Sequence, residues 1–340
     1  MKVIIDDKIP FIHEVAEKLF GEVIFIPGTA ISAADVRDAD ALVVRTRTRC
    51  DRHLLESSSV RFIVTATIGF DHLDTTYLEE KGIKWTNCPG CNASSVAQYI
   101  ESSLLLLEKQ GHFRLSGSTV GLIGLGHVGT KVACRLAEDG CRILASDPPR
   151  QEKEDGDFRS LDELATTCDV ISFHTPLTTG TNHPTFHIAD VAFFKKLKKK
   201  PIVINSARGG VVDEKALLTA LDEGRISAAI VDTWENEPNI SLELLHKVFL
   251  GTPHIAGYSA DGKANATRMA LTALCRFFHL KPDFRIAAPS ISPNLKPSED
   301  LTERKLQLYN PLRDYKALLA HPEDFEQLRG NYPLRRETWD

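Results

Sequence analysis

The sequence predicts an α/β fold made of two parallel-sheet domains, and three observations carry that expectation. Short apolar runs alternate with segments of helical period along most of the chain, the pattern of a parallel sheet with helices on its faces. The 340 residues exceed the usual size of a single domain. A glycine cluster, Gly124, Gly126 and Gly129, follows one apolar run and opens a helix, as a nucleotide-binding turn does.

Residues 2–5 form the first apolar run, 11–20 read as a helix, and Glu22–Ile26, Ala41–Val44 and Phe62–Thr65 read as further strands. Residues 94–110 read as a long apolar-rich helix, capped by Ser94 or Ser95, that can connect two domains. Thr119–Ile123, a helix over 131–139 and the strand Arg142–Ser146 make one βαβ unit. Buried strands follow at 169–173, Ile202–Asn205 and 228–232, with helices at 161–165, 191–197 and 214–223 between them. A helix over 263–278 is placed to return the chain to the first domain. The stretch 282–297, with Pro282, Pro289, Pro293 and Pro297, reads as a linker. Residues 300–340 are too few for a core of their own, so they pack on the body or on a second subunit. The expected domains are 1–99 with 256–283, then 100–255, and an extension over 284–340.

Composition excludes several classes. With 42% apolar, 26% charged and 7% aromatic residues the chain is neither disordered nor collagen-like. The balance of 41 basic against 46 acidic residues leaves a net charge of −5, without the basic footprint of a nucleic-acid binder. The N-terminal MKVIIDDKIPFIHE puts acids and a proline where a signal peptide needs a continuous apolar stretch. The strongest later run, 104–107, falls far short of the roughly 20 residues that span a bilayer. The expectation is a soluble cytoplasmic protein with no nucleic-acid and no membrane partner. Seven cysteines, an odd number, fit reduced thiols better than a disulfide framework. Cys88-Pro89-Gly90-Cys91 has the spacing of a redox dithiol or half a zinc site. No second CxxC or nearby His pair completes a metal set, so no metal is expected.

At the glycine cluster each position has a reason. Gly124 permits the tight turn, Gly126 lets backbone approach a pyrophosphate, and Gly129 lets helix and strand pack closely, while the helix N-terminus offers free N–H groups to phosphate. Asp147, at the end of the following strand, would accept the adenosine ribose hydroxyls and repel a 2′-phosphate, favouring NAD over NADP.

Arg208 in NSARGGVVDE, Glu237 in DTWENEP and His254 in TPHIAGYS stand at or just past strand ends, where open α/β sheets bind ligands. With FHTPLT (173–178) and GLIGLGHVG (121–129), these stretches resemble the D-2-hydroxyacid dehydrogenases over most of residues 1–280. The resemblance implies a Rossmann NAD-binding domain inserted into a flavodoxin-like parallel-sheet substrate domain, with a short C-terminal dimerisation extension and a homodimer. A finer likeness, to members acting on phosphorylated 2-hydroxyacids, rests on VVRTRTR (43–49), ATIGFDHLD (66–74), CPGCNASSVAQY (88–99), SDPPR (146–150), GDFRSLDEL (156–164), HIAGYSADGKA (254–264) and FEQLRGNYPLRRE (325–337). In that alignment Cys91 takes a variable position.

Hydride transfer from C2 of a 2-hydroxyacid needs a base for the hydroxyl proton, and His254 supplies it. By the resemblance, Glu237 orients the ring and stabilises imidazolium, while Arg208 offers its planar donors to the substrate carboxylate. The cofactor residues expected with this resemblance are the three glycines with His127 and Val128, then Asp147, Thr175, Ala207, Asp232 and Gly257, with His174 expected to line the adenine side beside Thr175. The same resemblance implies that Thr46, Thr67 and Tyr258 hold substrate. An extended Val43–Arg49 stretch would put three guanidinium groups on one side and two hydroxyls on the other. Arg45 and Arg47 are assigned to the substrate phosphate, with Arg335 and Arg336 as contributors from a partner subunit. Two alternatives stay open: 3-phosphoglycerate or glyoxylate/hydroxypyruvate chemistry on the same residues, and an NAD-sensing, corepressor-like binding protein.

Overall fold

The computed structural model describes residues 1–292 and 294–339, and the chain divides into two compact units. One comprises Met1–Asn92 and Ala260–Ser290; the other comprises Ala93–Ser259 and Ile291–Asp340.

In the first unit β1 (Lys2–Asp6), β2 (Glu22–Ile26), β3 (Ala41–Val44), β4 (Phe62–Thr65) and β5 (Lys84–Thr86) form a parallel sheet in the order β2-β1-β3-β4-β5. Both faces are covered, so the central strands are continuous apolar runs, and β3 and β4 are wholly buried. Alternation along each strand sends Val3, Val43 and Val64 to one face, against Ala270, Leu271 and Leu274 of the helix Ala260–Phe277. Ile4, Leu42 and Ile63 point to the other, with Leu54, Leu55 and Leu78. The strand order reverses between β1 and β3, which makes their C-terminal ends the place where such sheets bind ligands.

The expected linker is only partly one. Ile286 is buried in this unit's core and its carbonyl accepts from Arg268 Nη2 at 2.6 Å, so residues 284–290 pack here rather than span open solvent. Pro293 of that stretch lies outside the described residues.

The second unit holds β6 (Thr119–Ile123), β7 (Arg142–Ser146), β8 (Val170–Phe173), β9 (Ile202–Asn205), β10 (Ala228–Val231) and β11 (Leu250–Gly251), all parallel, in the order β11-β10-β9-β8-β6-β7. Beyond β7, Phe158 makes a single parallel bridge to Ala145. Counting that bridge as the third strand gives the 3-2-1-4-5-6 succession of dinucleotide-binding sheets. The helix Ala93–Lys109 falls wholly in this unit, so the joint lies at 92/93 rather than 99/100. It packs on the helix His127–Glu138, where Arg135 Nε meets the buried Glu101 carboxylate at 2.7 Å.

The C-terminal extension packs on this unit too. Leu306 and Tyr309 join the cluster around Leu107 and Leu136, while Leu318 and Phe325 join Leu244 and Leu245. Tyr315 Oη reaches the carbonyls of Leu245 and Val248, each at 3.0 Å, capping the exit of the helix Leu242–Lys247. Among the described residues no helix is long and apolar enough to cross a membrane, and all seven cysteines are free.

Candidate active site

The glycine turn between β6 and the helix His127–Glu138 follows from three different constraints. Gly124 has φ +92°, and a Cβ there would lie 2.8 Å from the His174 backbone. At Gly129 a Cβ would lie 2.1 Å from the Gly124 carbonyl oxygen, so helix and turn touch backbone to backbone. Gly126, the helix N-cap, is the opposite case: a Cβ would meet nothing within 4 Å. The helix starts at His127, four residues earlier than the apolar pattern suggests, so His127, Val128 and Gly129 are its first turn, with N–H groups that the helix itself cannot satisfy. Asp147 follows β7, and its Oδ2 accepts the Leu125 N–H at 2.7 Å while Oδ1 accepts that of Arg150 at 3.1 Å. Arg150 hydrogen-bonds the Leu125 carbonyl and Glu154, so it closes the same turn.

Past the C-terminal ends of β8, β9 and β10 stand Thr175, Ser206 and Thr233, whose hydroxyl oxygens are buried without a hydrogen-bond partner among the described residues. Buried polar groups are rarely left so, and a row of them at the ends of adjacent strands, with the Thr175 side chain against Gly124, fits a dinucleotide with its ribose and amide groups. His174, next to Thr175, is half-buried. Its Nε2 meets Ser172 Oγ at 2.9 Å, and burial pushes its pKa down to about 4, so the ring is neutral near pH 7 and is unsuited to act as a charged group. Ala207 is buried and its carbonyl accepts from Arg208 Nη1 at 2.8 Å.

Asp232, buried just past β10, holds the next loop. Its Oδ1 accepts from Thr252 Oγ1 (2.6 Å) and the Ile255 N–H (2.8 Å), and its Oδ2 from the Ala256 N–H (3.0 Å). Burial pushes this carboxyl above its ordinary range despite those bonds. The Asp232 carbonyl also takes the His254 N–H at 2.9 Å, and His254 is held at φ +56°, a strained region for a side chain other than glycine.

His254 Nδ1 lies 2.9 Å from Glu237 Oε2, and Glu237 Oε1 accepts the Trp234 N–H at 2.9 Å. A carboxylate only accepts, so Nδ1 carries a proton and Nε2 is left as the basic nitrogen of the neutral ring. Burial raises the Glu237 carboxyl, but the hydrogen bond and charge of His254 outweigh it and hold the group below the usual carboxylate range. Gly209 brings the Arg208 loop against this one: a Cβ there would lie 1.9 Å from the Trp234 carbonyl oxygen. Gly257 and Tyr258 follow His254 and are half-buried.

The first unit positions the other nominated residues. Val44 and Thr65 are paired at the ends of β3 and β4, and Thr46 and Thr67 each stand two residues further on. Thr67 Oγ1 meets Thr65 Oγ1 at 2.7 Å and the Gly69 carbonyl at 2.9 Å. The extended arrangement expected for 43–49 does not form. β3 ends at Val44, and the chain must turn toward the helix Arg52–Leu55, closing with Thr48 N–H on the Arg45 carbonyl at 3.2 Å. Arg45 Nε and Nη2 face the buried Asp6 carboxylate at 3.0 and 3.3 Å, so this guanidinium neutralises an internal charge. Thr48 is buried on the Gly28 carbonyl, and Arg49 pairs with Asp51. Arg47 and Thr46 are exposed.

Cys88 is buried, donates to the Ala266 carbonyl at 3.3 Å, and has its thiol pushed up by burial, which disfavours the thiolate that redox or metal chemistry needs.

Residues 99–256 match the family described as D-isomer specific 2-hydroxyacid dehydrogenase, NAD binding domain. A Bacteroides thetaiotaomicron protein named erythronate-4-phosphate dehydrogenase is 54% identical over 339 residues, covering 99% of this chain and 97% of that one. The chain belongs to the D-isomer-specific 2-hydroxyacid dehydrogenase family. An Escherichia coli protein of the same name is 41% identical over 349 residues, covering 99% of this chain and 92% of its own. The structure of D-2-hydroxyisocaproate dehydrogenase matches with a TM-score of 0.69 at 25% identity, over 82% of this chain and 97% of that one. NAD+-bound 3-phosphoglycerate dehydrogenase of Entamoeba histolytica matches with a TM-score of 0.68 at 26% identity, over 84% and 98%. The cofactor of this 2-hydroxyacid dehydrogenase is NAD, consistent with the glycine turn and the buried hydroxyl row.

Three features of this dehydrogenase escaped the sequence reading. Arg329, in the helix Phe325–Gly330, brings Nη1 to 3.9 Å from the Glu237 oxygen that His254 contacts. His187, Asp213 and Glu235 gather into one cluster, with His187 Nε2 and Glu235 Oε1 2.9 Å apart. Arg335 is buried inside its own chain, which contradicts its nomination as a phosphate ligand across a dimer.

Proposed function

We propose that this dehydrogenase oxidises 4-phospho-D-erythronate at C2 to 2-oxo-3-hydroxy-4-phosphobutanoate, a step toward pyridoxal 5′-phosphate. The hydrogen-bonded Glu237–His254 pair carries the reading, because the carboxylate holds the ring by Nδ1 and leaves Nε2 to take a substrate proton. The substrate follows from the name of relatives up to 54% identical over nearly the whole chain. NAD+, when bound, accepts the hydride released from C2.

The chain's own residues do the rest. His254 Nε2 takes the C2 hydroxyl proton, Glu237 holds the ring and stabilises the imidazolium that results, and Arg208 pairs with the substrate carboxylate. Gly124, Gly126, His127, Val128 and Gly129 bind the pyrophosphate, Asp147 the adenosine ribose, and Thr175, Ala207, Asp232 and Gly257 the remaining groups of the dinucleotide. Thr46, Thr67 and Tyr258 bind substrate, and Arg47 takes its phosphate; Arg45 supports that turn through Asp6. The reading includes a cytoplasmic homodimer, in keeping with seven free thiols.

A panel of phosphorylated and unphosphorylated 2-hydroxyacids, followed by NADH absorbance with sedimentation of the same sample, tests it. Preferred turnover of 4-phospho-D-erythronate is expected. Binding of NAD+ with no turnover of any member would instead assign a sensing role.

A further inference from the structure

We propose that Arg335 is a positioning residue for the catalytic base: its guanidinium holds the loop after His254 so that the imidazole keeps its contact with Glu237. The inference rests on the base role given to His254 above. Arg335 is 6% exposed, and its five N–H donors meet six acceptors. Nε donates to Gln98 Oε1 at 3.0 Å. Nη1 faces the Ile255 carbonyl (3.1 Å), the Tyr258 carbonyl (2.8 Å) and Tyr332 Oη (3.3 Å). Nη2 faces the Ser95 carbonyl (3.2 Å) and the Ala256 carbonyl (2.6 Å).

Three of the six acceptors are backbone carbonyls within four residues of His254. Asp232 grips the same segment by its N–H groups, at Ile255 and Ala256. The loop is thus clamped from both sides of its peptide units, by a carboxylate on the donors and a guanidinium on the acceptors. That clamp is what a strained residue needs. His254 sits at φ +56°, a conformation that persists only where the surroundings over-determine it.

The charge stays on Arg335, since a guanidinium does not lose its proton in a protein. It lies 3.8 Å from the centre of the Tyr309 ring, and Tyr309 and Tyr332 both donate to Asp314 Oδ2, at 3.1 and 2.9 Å, which answers the buried charge one shell away. Lysine could not replace this arrangement, because a compact ammonium with three donors cannot reach carbonyls spread around a planar fork. The carboxylate of Glu337, two residues on, ties the same C-terminal segment at a second point, accepting from Ser95 Oγ at 2.6 Å and Ser259 Oγ at 2.7 Å.

The test is Arg335→Lys, with Gln98→Met as a milder variant that removes one acceptor of the fork while keeping its volume. NAD+ affinity by fluorescence, kcat and KM for 4-phospho-D-erythronate, and the Nδ1–H resonance of His254 in 15N-histidine-labelled protein are measured on each, with His254→Asn assigning the signal. Folded Arg335→Lys should bind NAD+ within about twofold of wild type while kcat falls roughly 10–100-fold, the loss expected for a base displaced by about 1 Å. Its Nδ1–H signal should broaden or vanish, and Gln98→Met should show the same changes in smaller degree. An intact signal with normal kcat in folded Arg335→Lys would overturn the proposal; so would an intact signal in Gln98→Met if Arg335→Lys does not fold. If the wild type turns over no 2-hydroxyacid, the functional reading fails, while the His254 signal still decides whether Arg335 holds the loop.

Discussion

The Nδ1–H of His254 donates to Oε2 of Glu237 over 2.9 Å, and the two residues come from loops after different strands, joined through Trp234 and Asp232. The pair implies two separable losses. His254→Asn removes the base and should lower kcat by roughly 10²–10⁴ with NAD+ affinity near wild type. Glu237→Gln keeps a hydrogen-bond acceptor but removes the negative charge that stabilises the imidazolium formed as the substrate proton is taken, so kcat should fall by roughly tenfold or more with NAD+ affinity near wild type. Steady-state rates and NAD+ titrations on both variants check this, and an unchanged kcat in Glu237→Gln would dissolve the pair.

His174 offers a pH test of stability. Its pKa falls from 6.5 to about 4 on folding, because burial disfavours the charged ring. Between those values the unfolded chain binds a proton that the folded chain refuses, so stability rises with pH there. The contribution is fully present above pH 6.5 and is lost as pH falls toward 4, by roughly 3 kcal/mol in all. His174→Gln does not titrate, so its stability relative to wild type should improve by about that amount from pH 7 to pH 4 in urea denaturation. Parallel curves would show that the ring is solvated in the native protein.

Strands β3, β4, β6 and β9 were legible because each is built on a short, largely apolar run. β5 was not: Lys84–Thr86 is three residues long and only partly buried, and its pairing with β4 is what makes it a strand. The single bridge at Phe158 is beyond any pattern, since one residue has no period. At the site, the glycine turn and the Glu237–His254 pair follow from local sequence, whereas Arg45 and Arg335 look like surface cations in a string of letters. Their partners, Asp6 and the carbonyls after His254, are 39 and some 80 residues away, and only the fold brings them within reach. A turn replaced the extended VVRTRTR stretch for the same reason: where β3 ends depends on its neighbours in the sheet.

The two glycines of the turn should respond differently. Gly126 has φ −71° and open space at its Cβ position, so Gly126→Ala should leave the melting temperature unchanged while weakening NAD+ at least tenfold, by filling the approach to the pyrophosphate. Gly129→Ala must push apart the helix and the Gly124 carbonyl, costing about 1–3 kcal/mol of stability. Thermal melts with and without NAD+ separate the two effects. A destabilised Gly126→Ala would mean that the open space is closed in solution.

Asp147 is best tested as Asn rather than Ala. Both carboxylate oxygens hold backbone N–H groups, so alanine would open the turn and confound the result. Asparagine keeps one acceptor and removes the charge. NAD+ should weaken by roughly tenfold, the scale of a lost hydrogen bond to a charged group, and NADP+ should gain relative to it. Dissociation constants for both cofactors give the answer, and a wild type that already prefers NADP+ would contradict the ribose role.

Arg45 and Arg47 stand on the same turn but should behave as different kinds of residue. Arg45 faces the buried carboxylate of Asp6 through two nitrogens, so Arg45→Ala leaves that carboxylate with the Lys8 N–H alone among these contacts. Losing those charge-assisted bonds at a partly exposed pair should cost about 1–3 kcal/mol, seen as a lower melting temperature and as reduced activity on every substrate alike. Arg47 is exposed just beyond, at the sheet end where ligands bind, on a chain whose net charge is −5. Arg47→Ala should melt near wild type. Its KM for 4-phospho-D-erythronate should rise by roughly tenfold or more, since a charge-assisted hydrogen bond to phosphate is lost, while KM for an unphosphorylated 2-hydroxyacid stays close to its original value. Melting curves and KM for both substrates, taken on both variants, decide it: equal losses on the two substrates in Arg47→Ala would return that arginine to the solvated surface and leave the phosphate without a ligand on this turn.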